Sequence, residues 1–193
     1  MERRPVCNLQ PAAKKDKLTL STYGSLYFRH DKGYANGEEN ISKNIGGHET
    51  VSLNFRAKKV ETRLLVRYNY SLTTNSLQSL NNVTISAIHL SNTATWKLPG
   101  DFKIENSLSY SRNFGYDSGY KKSELMWNAQ LSKQFLKKKV GTLKLSCYDI
   151  LKDRNNTVRY AGNGSVTEMR CNMLGSYFLL SFSFRFQPDG SKD

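Results

Sequence analysis

No stretch of this sequence holds the roughly 20 consecutive apolar residues that a membrane-crossing helix needs, so helical insertion is excluded. The opening residues, M-E-R-R-P-V-C-N-L-Q-P-A-A-K-K-D, are basic but lack the apolar core of a secretory leader. The three cysteines, Cys7, Cys147 and Cys171, form no C-x-x-C pair and no metal spacing. Cys147 falls on an apolar stripe, where it reads as a small hydrophobe, and a Cys147–Cys171 disulfide is open to the chain in an oxidising compartment. The three histidines, His30, His48 and His89, have no ligand spacing either. A nucleophile elbow, a phosphate loop and a carboxylate pair are all missing. His89 with Ser91 is the only serine–histidine neighbour pair, and geometry must precede any catalytic role for it. The expectation is a non-enzymatic protein with no catalytic, cofactor-binding or metal site.

Acidic residues are also scarce, 16 against 29 lysines and arginines, which leaves a net charge of +13. Such a balance raises the question of nucleic acid. The basic residues, however, are scattered and often sit in turn-like places such as Lys58-Lys59, Lys121-Lys122 and Lys137 to Lys139. No basic helix, zinc spacing or RNA-binding motif accompanies them. Lipid head groups and lipopolysaccharide phosphates suit this charge equally well, and no nucleic-acid partner is expected.

What the chain has in quantity is alternation. Leu18, Leu20, Gly24, Leu26 and Phe28 oppose Thr19, Ser21, Tyr23, Ser25 and Arg29. The same period of two recurs over 50–57, 63–70, 88–97, 102–111, 124–132 and 142–147, and again in Y-F-L-L-S-F-S-F-R-F from Tyr177 to Phe186. A strand sends successive side chains to opposite faces, so eight such segments predict an antiparallel all-β chain. The connections alternate in length. Long ones run His30–His48, Thr73–Asn82, Phe114–Tyr120 and Lys152–Leu174, the last with a hairpin of its own at Gly162-Asn163-Gly164. Short ones are Lys58-Lys59, Leu98-Pro99-Gly100 and Leu136–Lys139. Tight turns at one end and large loops at the other are the asymmetry of outer-membrane barrels.

Aromatic residues gather at the strand ends. Phe55, Trp96, Phe102, Phe135 and Phe186 lie near the short turns, and Phe28, Tyr68, Tyr70 and Tyr110 near the long loops. Rings settle at head-group depth, so with Trp127, Phe182 and Phe184 these positions are expected on the lipid-facing surface. The opposite face carries Arg56, Arg63, Arg67, Lys97, Lys103, Glu105, Lys144 and Arg185. Burying such charges in a dry core costs several kcal/mol each unless they are paired, whereas a hydrated lumen accepts them.

Trp127 to Asp153, W-N-A-Q-L-S-K-Q-F-L-K-K-K-V-G-T-L-K-L-S-C-Y-D-I-L-K-D, followed by the strand from Tyr177 to Phe186, resembles the C-terminal part of TonB-dependent outer-membrane receptors of the type common in Bacteroidetes. Tyr148-Asp149-Ile150-Leu151 and Arg185-Phe186 stand where that family has a strand ending in Tyr-Asp-Ile/Leu-Leu and a terminal Arg-Phe. The resemblance implies a nutrient-uptake role, for a glycan or metal chelate, and a C-terminal assembly signal at Tyr177, Phe184 and Phe186 read by the barrel-assembly machinery. Nothing here resembles the family's plug domain, TonB-contacting segment or leader. Residues from Gln187 onward extend past the usual terminal Phe.

The expected fold is therefore an antiparallel up-and-down transmembrane β-barrel of about eight strands, part of a larger one, since such receptors have 22. Residues 1–16 are expected to be an extension, 17–187 the barrel strands and 188–193 a polar tail. Its first strand, from Lys17, is expected to be an exposed edge. The location implied is the outer membrane of a Gram-negative bacterium, given an upstream leader, with lipid and lipopolysaccharide as partners and the TonB system reached through regions outside this sequence. A free-standing eight-stranded structural or adhesion barrel and a soluble ligand-binding β-barrel are the alternatives.

Overall fold

The computed structural model describes residues 4–5, 12–15, 17–115, 123–136, 139–154, 156–162 and 165–186. Cys7, Lys121-Lys122, Lys137-Lys138, the Asn163-Gly164 tip and the tail from Gln187 lie outside the described residues.

The alternating segments form strands that are longer than their apolar stripes. In chain order they are β1 (Arg4–Pro5), β2 (Ala12–Lys15), β3 (Leu18–Ala35), β4 (Glu38–Arg56), β5 (Val60–Asn75), β6 (Val83–Leu98), β7 (Phe102–Phe114), β8 (Ser123–Phe135), β9 (Gly141–Tyr148), β10 (Thr157–Gly162), β11 (Ser165–Arg170) and β12 (Tyr177–Phe184). A 3-10 turn, Pro99–Asp101, joins β6 to β7. Strands β3 to β9 and then β12 pair with their neighbours in sequence order, every pair antiparallel, which is the up-and-down meander expected of these eight segments. β10 and β11 pair only with each other, in the hairpin expected inside the last long connection.

Two expectations are corrected. The segment His30–His48, read as a long loop, continues β3 and β4 in unbroken register from Leu18↔Phe55 to Ala35↔Glu38. Its turn is Asn36-Gly37, with φ of 53° and 84°, the positive pair that a two-residue hairpin turn requires. The strands continue here with only scattered apolar residues, Tyr34, Ile41 and Ile45 among them, rather than a regular apolar stripe; Arg29–Asp31 and Lys32–Glu39 ion pairs, 2.8 and 2.9 Å, line this extension. Secondly, the edge of β3 is not bare. β2 pairs with it from Ala12↔Ser21 to Lys15↔Leu18, and β1 pairs at Arg4↔Phe28 and Pro5↔Tyr27. An unpaired strand edge exposes a row of N–H and C=O groups, and the preceding chain covers part of it.

Burial runs opposite to that of a water-soluble core. Ala94 is the one buried hydrophobic residue among the described residues. The buried polar residues within strands, Asn40, Ser42, Ser52, Thr73, Ser132 and Ser146, all share one face by register, whereas Leu20, Leu53, Leu64, Leu131, Leu145 and Phe182 on the other face are exposed. The sheet therefore curls with its polar face inward.

Candidate functional site

The outer face can be followed row by row, because residues directly opposite in an antiparallel pair share a face. One row runs Leu20, Leu53, Leu64, Asn92, Leu108, Trp127 and the next Val51, Val66, Leu90, Tyr110, Leu125. Phe55, Trp96, Phe102, Trp127, Phe135, Phe182 and Phe184 all fall on this face. Phe55, Phe102 and Phe135 adjoin the short turns, with Trp96 two residues further in, whereas Trp127 lies beside Leu108, well inside β7. Phe135 meets Phe182 with ring centroids 5.9 Å apart, and Phe184 meets Phe186 edge-on at 4.8 Å.

Two charged residues stand at the ends of this surface, each over a ring. Lys133 Nζ lies 4.7 Å from the Phe102 centroid, and the Arg112 guanidinium 5.1 Å from that of Phe114. Phe102 and Arg112 are ten positions apart on β7, about 34 Å along a strand. At the usual barrel tilt of about 35–45° that is roughly 24–28 Å along the membrane normal, the height of the apolar band in outer-membrane barrels. Such cation–π pairs let a cation remain at the head-group level without leaving the apolar surface.

Polar residues inside the band satisfy one another. Trp127 Nε1 donates to Asn106 Oδ1 at 2.6 Å, Asn92 Nδ2 to Thr62 Oγ1 at 3.2 Å, and Thr62 Oγ1 to the Thr93 carbonyl at 3.1 Å. Lipid offers no hydrogen bond, so each of these groups needs a protein partner.

The inner face carries Arg63, Arg67, Lys103, Glu105 and Lys144, and Arg185 follows Ser183 on the same alternation. Arg67 Nε donates to Thr50 Oγ1 at 3.0 Å, Lys103 pairs with Glu105 at 2.9 Å, and Arg56 pairs with Glu61 at 2.5 Å. A cavity of about 590 Å³ lies against Arg56, Glu61, Arg63 and Thr95. Ser146 is wholly buried, and its Oγ has no hydrogen-bond partner. Tyr177 stacks on Tyr148, centroids 4.7 Å apart, at the long-loop end of this face.

His89 is bonded not to Ser91 but to Ser111, directly across on β7, with Nδ1 and Oγ 2.8 Å apart. His48 likewise meets Ser25 at 3.1 Å. Ser111 lies between His89 and Glu124 in its row. A Ser-His-acid relay needs the imidazole in the middle, so this row is a hydrogen-bonded ladder rather than that relay. Cys147 and Cys171 are not bonded to each other.

Sequence reading misses two polar clusters. Asn40 Nδ2 donates to Asn75 Oδ1 at 3.1 Å, while Asn40 Oδ1 accepts from the Ser76 N–H at 3.2 Å, which ties β4 to the start of the 76–82 loop. Asp149, with φ of 48°, ends β9: its N–H donates to Asn128 Oδ1 at 2.8 Å and its Oδ1 accepts from the Asp153 N–H at 3.3 Å. The Tyr-Asp-Ile-Leu stretch is thus a strand terminator, in which Asp tolerates the left-handed backbone and its side chain caps the turn.

A sheet greasy outside, polar within, short-turned at one end and drawn into long connections at the other defines the wall of a membrane β-barrel. The chain belongs to the outer membrane protein beta-barrel family, whose model matches residues 16–184. That match covers all eight meander strands and extends the assignment beyond the region from Ser123 where the residue-level resemblance is clearest. Neither the curated proteins nor the solved structures contain a match.

Proposed function

We propose that this outer-membrane barrel chain is the C-terminal wall segment of a TonB-dependent uptake receptor of a Gram-negative bacterium. Its part is structural and ligand-facing rather than enzymatic. The apolar face meets lipid and, at the long-loop end, lipopolysaccharide. The inner face lines the path of a scarce nutrient, and the final strand presents Tyr177, Phe184 and Phe186 to the assembly machinery. Coupling to the TonB system would come through regions outside this sequence, and nucleic acid has no role.

One observation carries the reading. The outer edge of β3 pairs with the chain that precedes it, β1 and β2, and not with β12. This pairing supports a meander that continues in the N-terminal direction rather than closing at eight strands, as a larger wall requires. The second reading, a free-standing eight-stranded barrel, draws on the strand number, since eight strands can close with side chains filling the interior. It requires β12 to displace β1 and β2 from β3.

Paired cysteines in the membrane-inserted protein separate the two, after Cys7, Cys147 and Cys171 are changed to serine. Ala13→Cys with Leu20→Cys, opposite each other in the sheet, should cross-link. Pairs placed along β3 and β12, such as Thr22→Cys with Leu180→Cys, should not. Efficient β3–β12 cross-linking within one chain would overturn the receptor-segment reading.

A further inference from the structure

Near the short-turn end of the inner face, Lys97 of β6 stands directly opposite Lys103 of β7, and the same row continues through Ser132 to Lys144. Like charges directly opposite on neighbouring strands destabilise a sheet. Among the described residues Lys103 has one carboxylate partner, Glu105, whereas Lys97 and Lys144 have none. The row therefore carries repulsion that the carboxylates among the described residues leave uncompensated at Lys97 and Lys144.

A cavity of about 370 Å³ opens beside this lysine pair, lined by Lys97, Lys103, Lys139, Ser132, Gln134 and Thr142. Asp101, also at its rim, holds Lys139. The volume is at the lower end of what small-molecule sites occupy. Its lining thus supplies three lysines, two hydroxyl-bearing residues and a glutamine. Lysine meets a phosphate as a point charge, without the bidentate fork that arginine offers to carboxylates and phosphates alike. With Lys144 counted in and Asp101 and Glu105 set against the four lysines, two positive charges remain, the complement of a phosphate monoester near neutral pH.

We propose that this lysine-lined cavity binds the phosphate group of a solute passing along the inner face. The proposal rests on reading that face as the lining of an uptake path, and it narrows the solute to phosphate-bearing compounds.

The test uses the full chain in detergent micelles, titrated with inorganic phosphate against chloride at matched ionic strength and, separately, with vesicles containing phosphatidylglycerol. Phosphate should raise the unfolding midpoint beyond the chloride control, and Lys97→Gln should weaken phosphate binding at least tenfold. Lys97→Gln should also raise the midpoint of the phosphate-free protein by removing the like-charge pair, a readout that excludes misfolding as the cause of lost binding. Lys152→Gln, at the long-loop end, should leave the phosphate response unchanged. Equal responses to phosphate and chloride, or unaltered phosphate affinity in Lys97→Gln, would overturn the site. A response to the vesicles alone would also overturn it, by moving the phosphate contact to the lipid surface. Solute uptake is measured separately in vesicles: phosphate binding without uptake would leave this site standing and remove the transport reading.

Discussion

Trp127 Nε1 donates to Asn106 Oδ1 across β8 and β7, 2.6 Å apart, on the outer face of the sheet. An asparagine in the middle of an apolar band would otherwise be an expense, and a tryptophan that deep would otherwise leave its N–H bare. Each residue makes the other tolerable. Asn106→Leu should therefore destabilise the inserted protein by about 1–3 kcal/mol, because it orphans the indole N–H. Trp127→Phe combined with Asn106→Leu should recover much of that loss, since no polar group is then left unpaired. Urea unfolding in bilayers, arranged as a double-mutant cycle, measures both effects.

The assignment of faces gives a second test. Leu145→Arg places a charge in the apolar band and should cost about 2–4 kcal/mol if it lies near mid-depth, with reduced outer-membrane levels. Ser183→Arg, on the inner face, should cost far less. Ser146 is an unsuitable control despite lying on the inner face: it is wholly buried, so an arginine there would fail for want of space. Membrane levels and unfolding midpoints of the two variants compare directly, and equal losses would contradict the assignment.

The β3–β4 extension should be separable from membrane insertion. Gly37→Val puts a β-branched side chain where φ is 84°, at a cost of about 1–2 kcal/mol confined to the tip. Hydrogen exchange of the amides from Asp31 to Asn40 should accelerate while outer-membrane levels stay unchanged. By contrast, Gly46 is closely packed: a Cβ there would collide with the Tyr27 hydroxyl and lie 2.8 Å from the Tyr70 carbonyl oxygen. Gly46→Val should therefore lower the stability of the whole sheet.

The terminal strand offers a further test. Phe186→Asp should reduce outer-membrane levels, and truncation after Phe186 should change them little. Normal assembly of Phe186→Asp would remove the proposed recognition signal.

Alternation along a strand reveals which residues share a face, and that is why the eight strands, their antiparallel order and the shared outer face of the set from Phe55 to Phe184 are legible in the amino-acid sequence. It does not reveal neighbours. Whether His89 meets Ser91 or Ser111 depends on the register between β6 and β7, which no single strand encodes. The Asn106–Trp127 and Asn40–Asn75 bonds are hidden for the same reason. The loop assigned to His30–His48 has another cause: hydrophobic alternation marks a strand only while one face is continuously apolar, and β3 and β4 continue where apolar residues such as Ile41 and Ile45 are only scattered. Asn36-Gly37 is the signal that marks this hairpin, since that dipeptide specifies a tight turn. The lysine cavity needs the Pro99–Asp101 turn and Lys139 to be brought beside the Lys97–Lys103 pair, a tertiary fact.

The most direct test of a lipid-facing and a water-facing surface is a spin-label scan along β8, from Glu124 to Leu131, in bilayers, with the native cysteines changed to serine. Collision with oxygen, which concentrates in lipid, and with a water-soluble nickel chelate is read at each position. The structure predicts a period of two: oxygen access highest at Leu125, Trp127, Ala129 and Leu131, and nickel access highest at Glu124, Met126, Asn128 and Gln130. Uniform access of the nickel chelate at all eight positions would contradict a membrane-embedded wall.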